Sequence, residues 1–329
     1  MILLNEFYST PSEIYLQEQN EKKGIKYIGK IAGRCIISYV LIQNILSVLM
    51  FWGPLGEIYE ASPDFQSVAA IFFTLSGILV PFAVGGYFIS KRTNADVFNL
   101  GKPVDTKLML AAVPLGFFVC LAGNYITGIF VNIMDGIGVH LTSPEYEVPS
   151  DFAGRLIYIV AIAVVPPLVE EFAIRGVIMQ PLRRYGDKFA ILASSLIFAV
   201  LHGNLIQAPF ALIAGIGIGY AVCITNSVWT GVLIHTANNL YSVIIEFMIE
   251  GIKDEALLDR VYIIMTVALY AVSVAGSVMF IILRKRRRIM PSFTVLSERK
   301  KMFSFIWSVP MIIALMIMLW ITKNFVTYS

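Results

Sequence analysis

The chain has 329 residues, of which 57% are hydrophobic and only 14% are charged, with a mean hydropathy of +0.76. Soluble globular domains carry about 25% charged residues, so this composition excludes an ordinary soluble protein. The formal net charge of +3 is small, and it becomes informative only when the basic residues are assigned to loops.

Nine apolar segments follow a polar N-terminal region. All but the fifth and sixth reach the length that crosses a hydrocarbon core of ~30 Å. The segments are 35–54, 66–90, 108–131, 156–180, 189–204, 206–222, 228–249, 261–283 and 303–322. They predict an all-α fold, a polytopic transmembrane helical bundle of eight or nine spans. Residues 1–34 are predicted to be a cytoplasmic tail without a cleavable signal peptide, and 35–329 a single transmembrane domain.

Basic residues are distributed unequally between alternate loops. With the N-terminus inside, most Lys and Arg residues lie in the inner segments, which are 1–34, 91–107, 181–188, 223–227 and 284–302. The outer segments hold most of the acids, among them Glu57, Glu145 and Asp254. Because cytoplasmic loops carry the excess of Lys and Arg, nine crossings are predicted, with the C-terminus outside. An eight-span alternative places 303–322 elsewhere. The expected location is the plasma membrane if the source is prokaryotic.

Two patterns that resemble binding motifs have simpler interpretations. The run RKRRR at 284–288 directly follows an apolar span, so it is predicted to be a stop-transfer anchor that meets anionic lipid headgroups rather than a nucleic-acid patch. The glycines of IAGIGIGY (Gly215, Gly217 and Gly219) are typical of helix packing in membranes. The three cysteines lack metal-ligand spacing and are predicted to be packing residues.

The fourth apolar segment contains VEEFAIRG, with three charges inside a predicted span. A charge near the bilayer centre costs about 2.5–3.5 kcal/mol on insertion scales, so these groups need partners or water. Glu171 and Arg175 are four residues apart and are predicted to form an ion pair. Glu170 lies about 100° round the helix from Glu171, has no such partner and is suited to act as a general base.

Two prolines, Pro166 and Pro167, lie just upstream and remove two backbone donors from this span. In a membrane such a break is tolerated where neighbours or water satisfy the freed carbonyls, which favours a wet interior beside the glutamates. The alternative is a simple proline kink, with an ion pair that locks two helices together.

Two of the three histidines also lie in apolar segments, His202 in FAVLHGN and His235 in LIHTANN. Phe198, at i−4, is predicted to pack on His202, and Asn239, at i+4, shares a helix face with His235. At ~1.5 Å rise per residue, these groups and Glu170 are predicted to meet in the inner half to the middle of the bilayer, with access from the cytoplasm.

A carboxylate, two imidazoles and a carboxamide suit hydrolysis of an acyl bond by activated water. In one version Glu170 takes the proton from water and His202 orients that water. His235 and Asn239 then donate hydrogen bonds to the oxyanion. In a second version His202, His235 and Glu170 hold zinc or another divalent metal ion, although the H-E-x-x-H signature is absent. Both versions, with a metal cofactor and with none, stay open.

Three ordered elements resemble the three motifs of the CPBP family, the CAAX prenyl protease 2-like and bacteriocin-processing (Abi) intramembrane proteases. The elements are Glu170-Glu171-x-x-x-Arg175, Phe198-x-x-x-His202 and His235-x-x-x-Asn239. The resemblance covers about 150–250 and implies that the catalytic core lies there. It gives Glu171, Arg175 and Phe198 supporting roles.

The resemblance implies an all-helical membrane endopeptidase that acts on a membrane-associated protein or peptide, in CAAX-type or bacteriocin and peptide processing. The family is classed among the metalloproteases, but a metal-free mechanism has also been proposed for it. There the residues matching Glu170 and His202 activate water, and those matching His235 and Asn239 form the oxyanion hole. The expected partners are the substrate and the lipid bilayer, and no nucleic acid. The alternative is a non-catalytic membrane protein of the same fold, such as an immunity factor, scaffold or transporter.

Overall fold

The computed structural model describes residues 10–144, 146–285, 287–291 and 293–328. Three predictions therefore fall partly outside the described residues: the first nine residues of the tail, the outer acid Glu145, and Arg286 of the RKRRR run. The helices in chain order are α1 (Pro11–Phe51), α2 (Pro54–Ala61), α3 (Pro63–Thr74), α4 (Val80–Thr93), α5 (Thr106–Gly136), α6 (Phe152–Ile159), α7 (Val165–Glu171), α8 (Gln180–Leu182), α9 (Asp187–Leu201), α10 (Gln207–Thr225), α11 (Val228–Gly251), α12 (Glu255–Leu283), α13 (Glu298–Ile306) and α14 (Val309–Lys323).

Several helices continue into one another through tighter or wider turns. π-Helical stretches join α3 to α4, α6 to α7 and α7 to α8; they are Leu75–Leu79, Val160–Val164 and Phe172–Met179. A 3₁₀ turn, Arg183–Tyr185, follows α8. Two short strands, β1 (Val139–Leu141) and β2 (Val326–Tyr328), complete the described elements.

The predicted polytopic helical bundle is confirmed, and the chain is an integral, multi-pass membrane protein. Seven helical stretches of the described chain are long and apolar enough to cross a membrane, and α13 with α14, bent by 77°, forms an eighth if the pair is one span. Helix α9 has only 15 residues, about 22 Å at 1.5 Å per residue, which is too short for a ~30 Å core. The nine predicted segments therefore correspond to these seven stretches, the bent pair of α13 and α14, and the shorter helix α9.

Helix α1 begins at Pro11 rather than at residue 35, so most of the predicted tail is helical. Thr10 caps it through reciprocal hydrogen bonds with Glu13. Ile25, Ile28 and Ala32 recur at helical spacing beneath the exposed lysines and are fully buried, and α1 packs against α13 and α14. The interspersed charges concealed this apolar face from a prediction based on uninterrupted apolar runs.

Hydrogen bonds join the loops that the sequence assigns to the inner side. They run from Val104 N to the Thr225 carbonyl (3.0 Å), from Arg183 Nη1 to Asn226 Oδ1 (3.1 Å), from Met290 N to Asp187 Oδ2 (2.8 Å) and from Leu296 N to Glu21 Oε2 (3.0 Å). The loops 94–105, 183–187 and 225–228, the described residues of 284–297 and the first part of α1 therefore lie on one side of the bundle, the basic face.

The two strands lie on the opposite side. β1 follows the far end of α5 and pairs antiparallel with β2, so that His140 lies opposite Thr327. Because α5 starts at the basic face, both strands lie at the other end of the bundle, the outer face. The C-terminal segment is thus on the side opposite the start of α1, as the distribution of basic residues predicts.

Helix α5 packs against α10, α11 and α12 in the interior of the bundle. A Cβ on Gly215, Gly217 or Gly219 of α10 would come within 2.8 to 3.2 Å of side chains on α5 or α9. These close approaches confirm the predicted helix-packing role of the glycine run. The three cysteines are buried and form no disulfide, which agrees with their interpretation as packing residues.

Candidate active site

A cavity of about 840 Å³ lies inside the bundle. Its wall is built by α1, α3, α5, the broken span from α6 to α8, α9, α10 and α11. Glu170, His202, His235 and Asn239 all line this central cavity. The fold therefore brings together, from three separate stretches of chain, the four residues selected from the sequence.

The span from α6 to α8 is broken because its prolines leave one carbonyl without a helical partner. In an α-helix the Ile162 oxygen accepts from residue 166, and in a π-helix from residue 167, but Pro166 and Pro167 have no N–H. Nδ2 of Asn239 donates to the Ile162 oxygen instead, at 3.0 Å. A carboxamide nitrogen carries two hydrogens, so the second N–H of Asn239 remains for the cavity.

Glu171 and Arg175 form the predicted ion pair in the interior of the bundle. Nε of Arg175 lies 3.1 Å from Oε2 of Glu171, and both side chains are fully buried. The N–H does not point at that oxygen, so the contact is ionic rather than a well-formed hydrogen bond. Gly231 on α11 makes room for the carboxylate, because a Cβ there would lie 2.6 Å from Oε2. The guanidinium also contacts the Gly215 carbonyl at 3.5 Å.

His235 lies between the two glutamates. Its Nδ1 is 3.2 Å from Oε1 of Glu171, and its Nε2 is 3.9 Å from Oε2 of Glu170. The prediction from i, i+4 spacing covers the pairing of Glu171 with Arg175 but not this contact with His235. The same carboxylate also orients an imidazole that lines the central cavity. Spacing within one helix could not reveal this contact, because His235 comes from α11.

His202 ends α9, and Gly203, with φ at +65°, turns the chain out of the helix. Glycine adopts this left-handed conformation readily and often follows a helix C-terminus. Nδ1 of His202 lies 2.8 Å from the carbonyl oxygen of Phe198, which can only accept. Nδ1 therefore carries the proton, and Nε2 keeps a lone pair that can accept a hydrogen bond from water.

The ring of Phe198 holds three site residues in place. It packs edge-on against His202 at 4.8 Å between centroids, as predicted, and against His235 at 5.5 Å. The guanidinium of Arg175 lies over the same ring at 5.0 Å, a cation–π contact. Phe198 is 2% exposed, so a single buried ring limits the movement of both imidazoles.

Two asparagines that sequence reasoning did not select contribute to the site. Asn238 lines the cavity and is buried, and within the described chain its Oδ1 has no hydrogen-bond partner. A buried acceptor in that state is costly until water or a ligand satisfies it. Asn204 donates to the His202 carbonyl and accepts from Gln207 N at 2.8 Å, which fixes the loop after α9. The two adjacent asparagines at 238 and 239 could have indicated Asn238 from the sequence, but the i, i+4 spacing from His235 selected Asn239 alone.

The lining of the central cavity extends toward the outer face. It continues along α11 from His235 through Ser242 to Glu246 and reaches the loop that follows β1. The described residues of the basic-face loops contribute nothing to it, and the lining residue Ile174 is fully buried. This lining favours access from the outer face, and the predicted access from the cytoplasm stays a prediction. Depth measured along each helix separately gave no information on the side toward which the cavity extends.

The predicted metal ligands do not fit a metal ion in this arrangement. Zinc requires several nitrogen, oxygen or sulfur ligands at about 2.0–2.3 Å. Nδ1 of His202 faces the Phe198 carbonyl and Nδ1 of His235 faces Glu171, an arrangement that metal-ligating histidines also show, so the possible ligand atoms are the two Nε2 atoms and the Glu170 carboxylate. In the part of the chain that the structure describes, no three His, Cys, Asp or Glu side chains are placed to hold a metal ion.

The fold and the cavity define a class: a multi-pass membrane protein with a glutamate, two histidines and asparagines around a buried polar cavity. Residues 152–241 match the family model described as type II CAAX prenyl endopeptidase Rce1-like. The matched segment runs from α6 into α11, and it confirms the resemblance to the CPBP family there. The match supports a protease-like function. No curated protein and no solved structure matches the chain.

Proposed function

We propose that the chain is an intramembrane endopeptidase that hydrolyses a peptide bond of a membrane-associated protein or peptide. The observation that carries this proposal is the convergence of Glu170, His202, His235 and Asn239 on one cavity inside a helical bundle. The segment that supplies them is also the one that matches a peptidase family. CAAX-type processing and bacteriocin or peptide processing are both substrate classes that this activity would cover.

Glu170 and His202 activate the attacking water. Glu170 accepts one proton of the water, while Nε2 of His202 accepts a hydrogen bond from the other. The water oxygen then forms a bond to the peptide carbonyl carbon. When the C–N bond breaks, the leaving amine takes the proton that Glu170 received, and the products are a carboxyl group and an amine. Oε2 of Glu170 lies 3.9 Å from Nε2 of His235, which is too far for a hydrogen bond. The carboxylate can therefore accept the proton of the water.

Asn239 and His235 stabilise the oxyanion that forms during the attack. Asn239 is held by the Ile162 carbonyl through one N–H and donates its second N–H. Nδ1 of His235 donates a hydrogen bond to the Glu171 carboxylate and so keeps its proton. Nε2 of His235 can therefore donate to the oxyanion only when the ring carries a proton on each nitrogen. Donors of this kind each contribute about 10²–10³-fold to the rate.

The catalytic core at about 150–250 belongs, in this proposal, to a single transmembrane domain that starts near residue 35. Residues outside the core complete the cavity: Tyr39 and Gln43 from α1, Thr74 from α3 and Thr127 from α5 line it. The core therefore supplies the chemistry, and the other helices supply part of the wall that contacts the substrate.

The extension of the cavity lining toward the outer face supports a substrate on that side. The basic loops mark the opposite face as cytoplasmic, so a chain segment that has crossed the membrane, or lies in the outer leaflet, reaches the site directly. Labelling of single cysteines tests this, because the three native cysteines are buried. A membrane-impermeant maleimide should label Ser143→Cys in intact cells and Lys102→Cys only after lysis. The reverse pattern would refute the outer-face assignment.

Hydrolysis is tested with purified protein in liposomes that contain membrane-anchored peptides, with products identified by mass spectrometry. Glu170→Gln and His202→Ala should each reduce the rate by about 10²–10⁴-fold, the range of general acid–base catalysis. Glu250→Gln is a matched control on α11, since Glu250 pairs with Arg155 at 3.5 Å outside the cavity. Full activity in the Glu170 variant would refute the mechanism.

The non-catalytic alternative makes different predictions for the same variants. An immunity factor or scaffold would still complement a deletion when Glu170 is replaced by Ala. A transporter would show proton-coupled flux in proteoliposomes, a behaviour for which intramembrane charges are common. Loss of complementation together with loss of cleavage in the Glu170 variant favours the peptidase.

A further inference from the structure

A second groove, of about 430 Å³, lies at the basic face between α1 and the bend that separates α13 from α14. One wall carries Lys26, Lys30 and Arg34, and the other carries Trp307 and Ser308. We call it the basic groove. It shares no lining residue with the central cavity, so the proposed peptidase activity does not account for it.

The three cations form one stripe along α1. Their spacing of four residues places them on one helix face, and all three are exposed. Within the described chain none of them forms an ion pair with a carboxylate. Like charges at this spacing repel one another, so an anion that lies against the stripe would stabilise it.

The facing wall is the N-terminus of a 15-residue helix. Ser308 is the N-cap of α14, yet its side chain caps no backbone N–H. It is 2% exposed, and among the described residues its Oγ has no hydrogen-bond partner. Pro310 has no N–H, so the first-turn donors are the N–H groups of Val309 and Met311. Together with the positive end of the helix dipole, such donors make a helix N-terminus a site for phosphate oxygens. The unpartnered hydroxyl adds a further donor.

The basic groove lies at the level of the membrane surface. A Cβ on Gly33 would overlap the backbone of Met311, so Arg34 lies beside the start of α14. From residue 35 to the end of α1 the sequence has no Lys, Arg, Asp or Glu, which marks Arg34 as the point where the helix enters the hydrocarbon. Trp307 is 57% exposed and stacks on Phe303, and tryptophan is enriched at membrane–water interfaces.

We infer that the basic groove binds the phosphate of an anionic lipid headgroup in the leaflet of the basic face. The phosphate would lie between the cations of α1 and the first turn of α14. The acyl chains would follow α14, whose Val309, Met316 and Leu319 are exposed and apolar. A zwitterionic lipid is disfavoured because its ammonium group would lie close to the three cations of the stripe on α1.

The test uses the full-length protein in detergent, with native mass spectrometry and thermal unfolding at increasing phosphatidylglycerol or phosphatidylcholine. The groove variant Lys26→Gln/Lys30→Gln/Arg34→Gln should bind phosphatidylglycerol at least tenfold more weakly. The control variant Lys285→Gln/Arg287→Gln/Arg288→Gln removes the same charge from the same face and should retain most of the binding. Ser308→Ala, which removes only the hydroxyl, should weaken phosphatidylglycerol binding several-fold without lowering stability in phosphatidylcholine.

Three outcomes would overturn the inference. The first is equal binding of the anionic and zwitterionic lipids. The second is an equal loss of binding in the groove and control variants, which would indicate diffuse surface attraction. The third is stabilisation by millimolar inorganic phosphate with no further effect of phosphatidylglycerol, which would assign the groove to a free anion. Unchanged unfolding of the groove variant in phosphatidylcholine shows that it is folded.

Discussion

Replacing Glu171 by Gln removes the negative charge with which the buried Arg175 pairs, at almost constant side-chain volume. The guanidinium is then left with the Gly215 carbonyl at 3.5 Å and the ring of Phe198. Breaking a buried ion pair by removing one partner costs about 3–5 kcal/mol. His235 also loses a charged acceptor at 3.2 Å. We therefore expect Glu171→Gln to lower the free energy of unfolding by at least about 3 kcal/mol.

The neighbouring glutamate and a double variant provide the comparison. The side chain of Glu170 is 20% exposed, and its ionic contact is the 3.9 Å approach to His235, so Glu170→Gln should cost less than about 1 kcal/mol. In Glu171→Gln/Arg175→Met both charges are gone, and replacing a buried pair together is often close to neutral. The double variant should therefore recover most of the loss.

Unfolding of the purified protein in detergent can be followed through its four tryptophans, by heat or by titration with a denaturing detergent. The wild type, Glu171→Gln, Arg175→Met and the double variant form a double-mutant cycle. The coupling energy between the two sites should be well above the error of the method. Equal destabilisation by Glu170→Gln and Glu171→Gln would refute the assignment of the ion pair to Glu171. So would purely additive losses in the double variant.

Three further outcomes follow from the site. Gly231→Ala should lower the free energy of unfolding by about 1–3 kcal/mol, because the added Cβ would overlap the Glu171 carboxylate. Gly128→Ala adds a Cβ in open space and should leave stability unchanged, and thermal unfolding compares the two variants. Asn239→Leu should lower the free energy of unfolding by about 1–3 kcal/mol, because the Ile162 carbonyl loses its hydrogen-bond donor, and it should reduce the rate of peptide cleavage by about 10²–10³-fold. A cleavage rate equal to that of the wild type would contradict this. Dialysis against a chelator should change neither cleavage nor stability; loss of both, restored by zinc, would contradict the poor fit of the ligands.

The sequence by itself determined the class of protein, its helical architecture and the contacts that lie within one helix. Long apolar runs report burial in lipid directly, and the distribution of Lys and Arg reports orientation. The Glu171–Arg175 pair and the packing of Phe198 on His202 were predictable because i, i+4 neighbours share a helix face whatever the rest of the chain does. Their functional roles stay predictions.

Only the tertiary structure decided which helices meet and toward which side of the bundle the cavity extends. The Glu171–His235 contact and the bond from Asn239 to the Ile162 carbonyl join separate helices, and their distances depend on helix rotation and tilt, which periodicity within one segment does not specify. The early start of α1 was missed because exposed lysines interrupt its apolar face in sequence but not in space. Burial depends on which face of a helix a residue occupies. The length of an apolar run does not distinguish the faces, because it averages hydropathy over all of them.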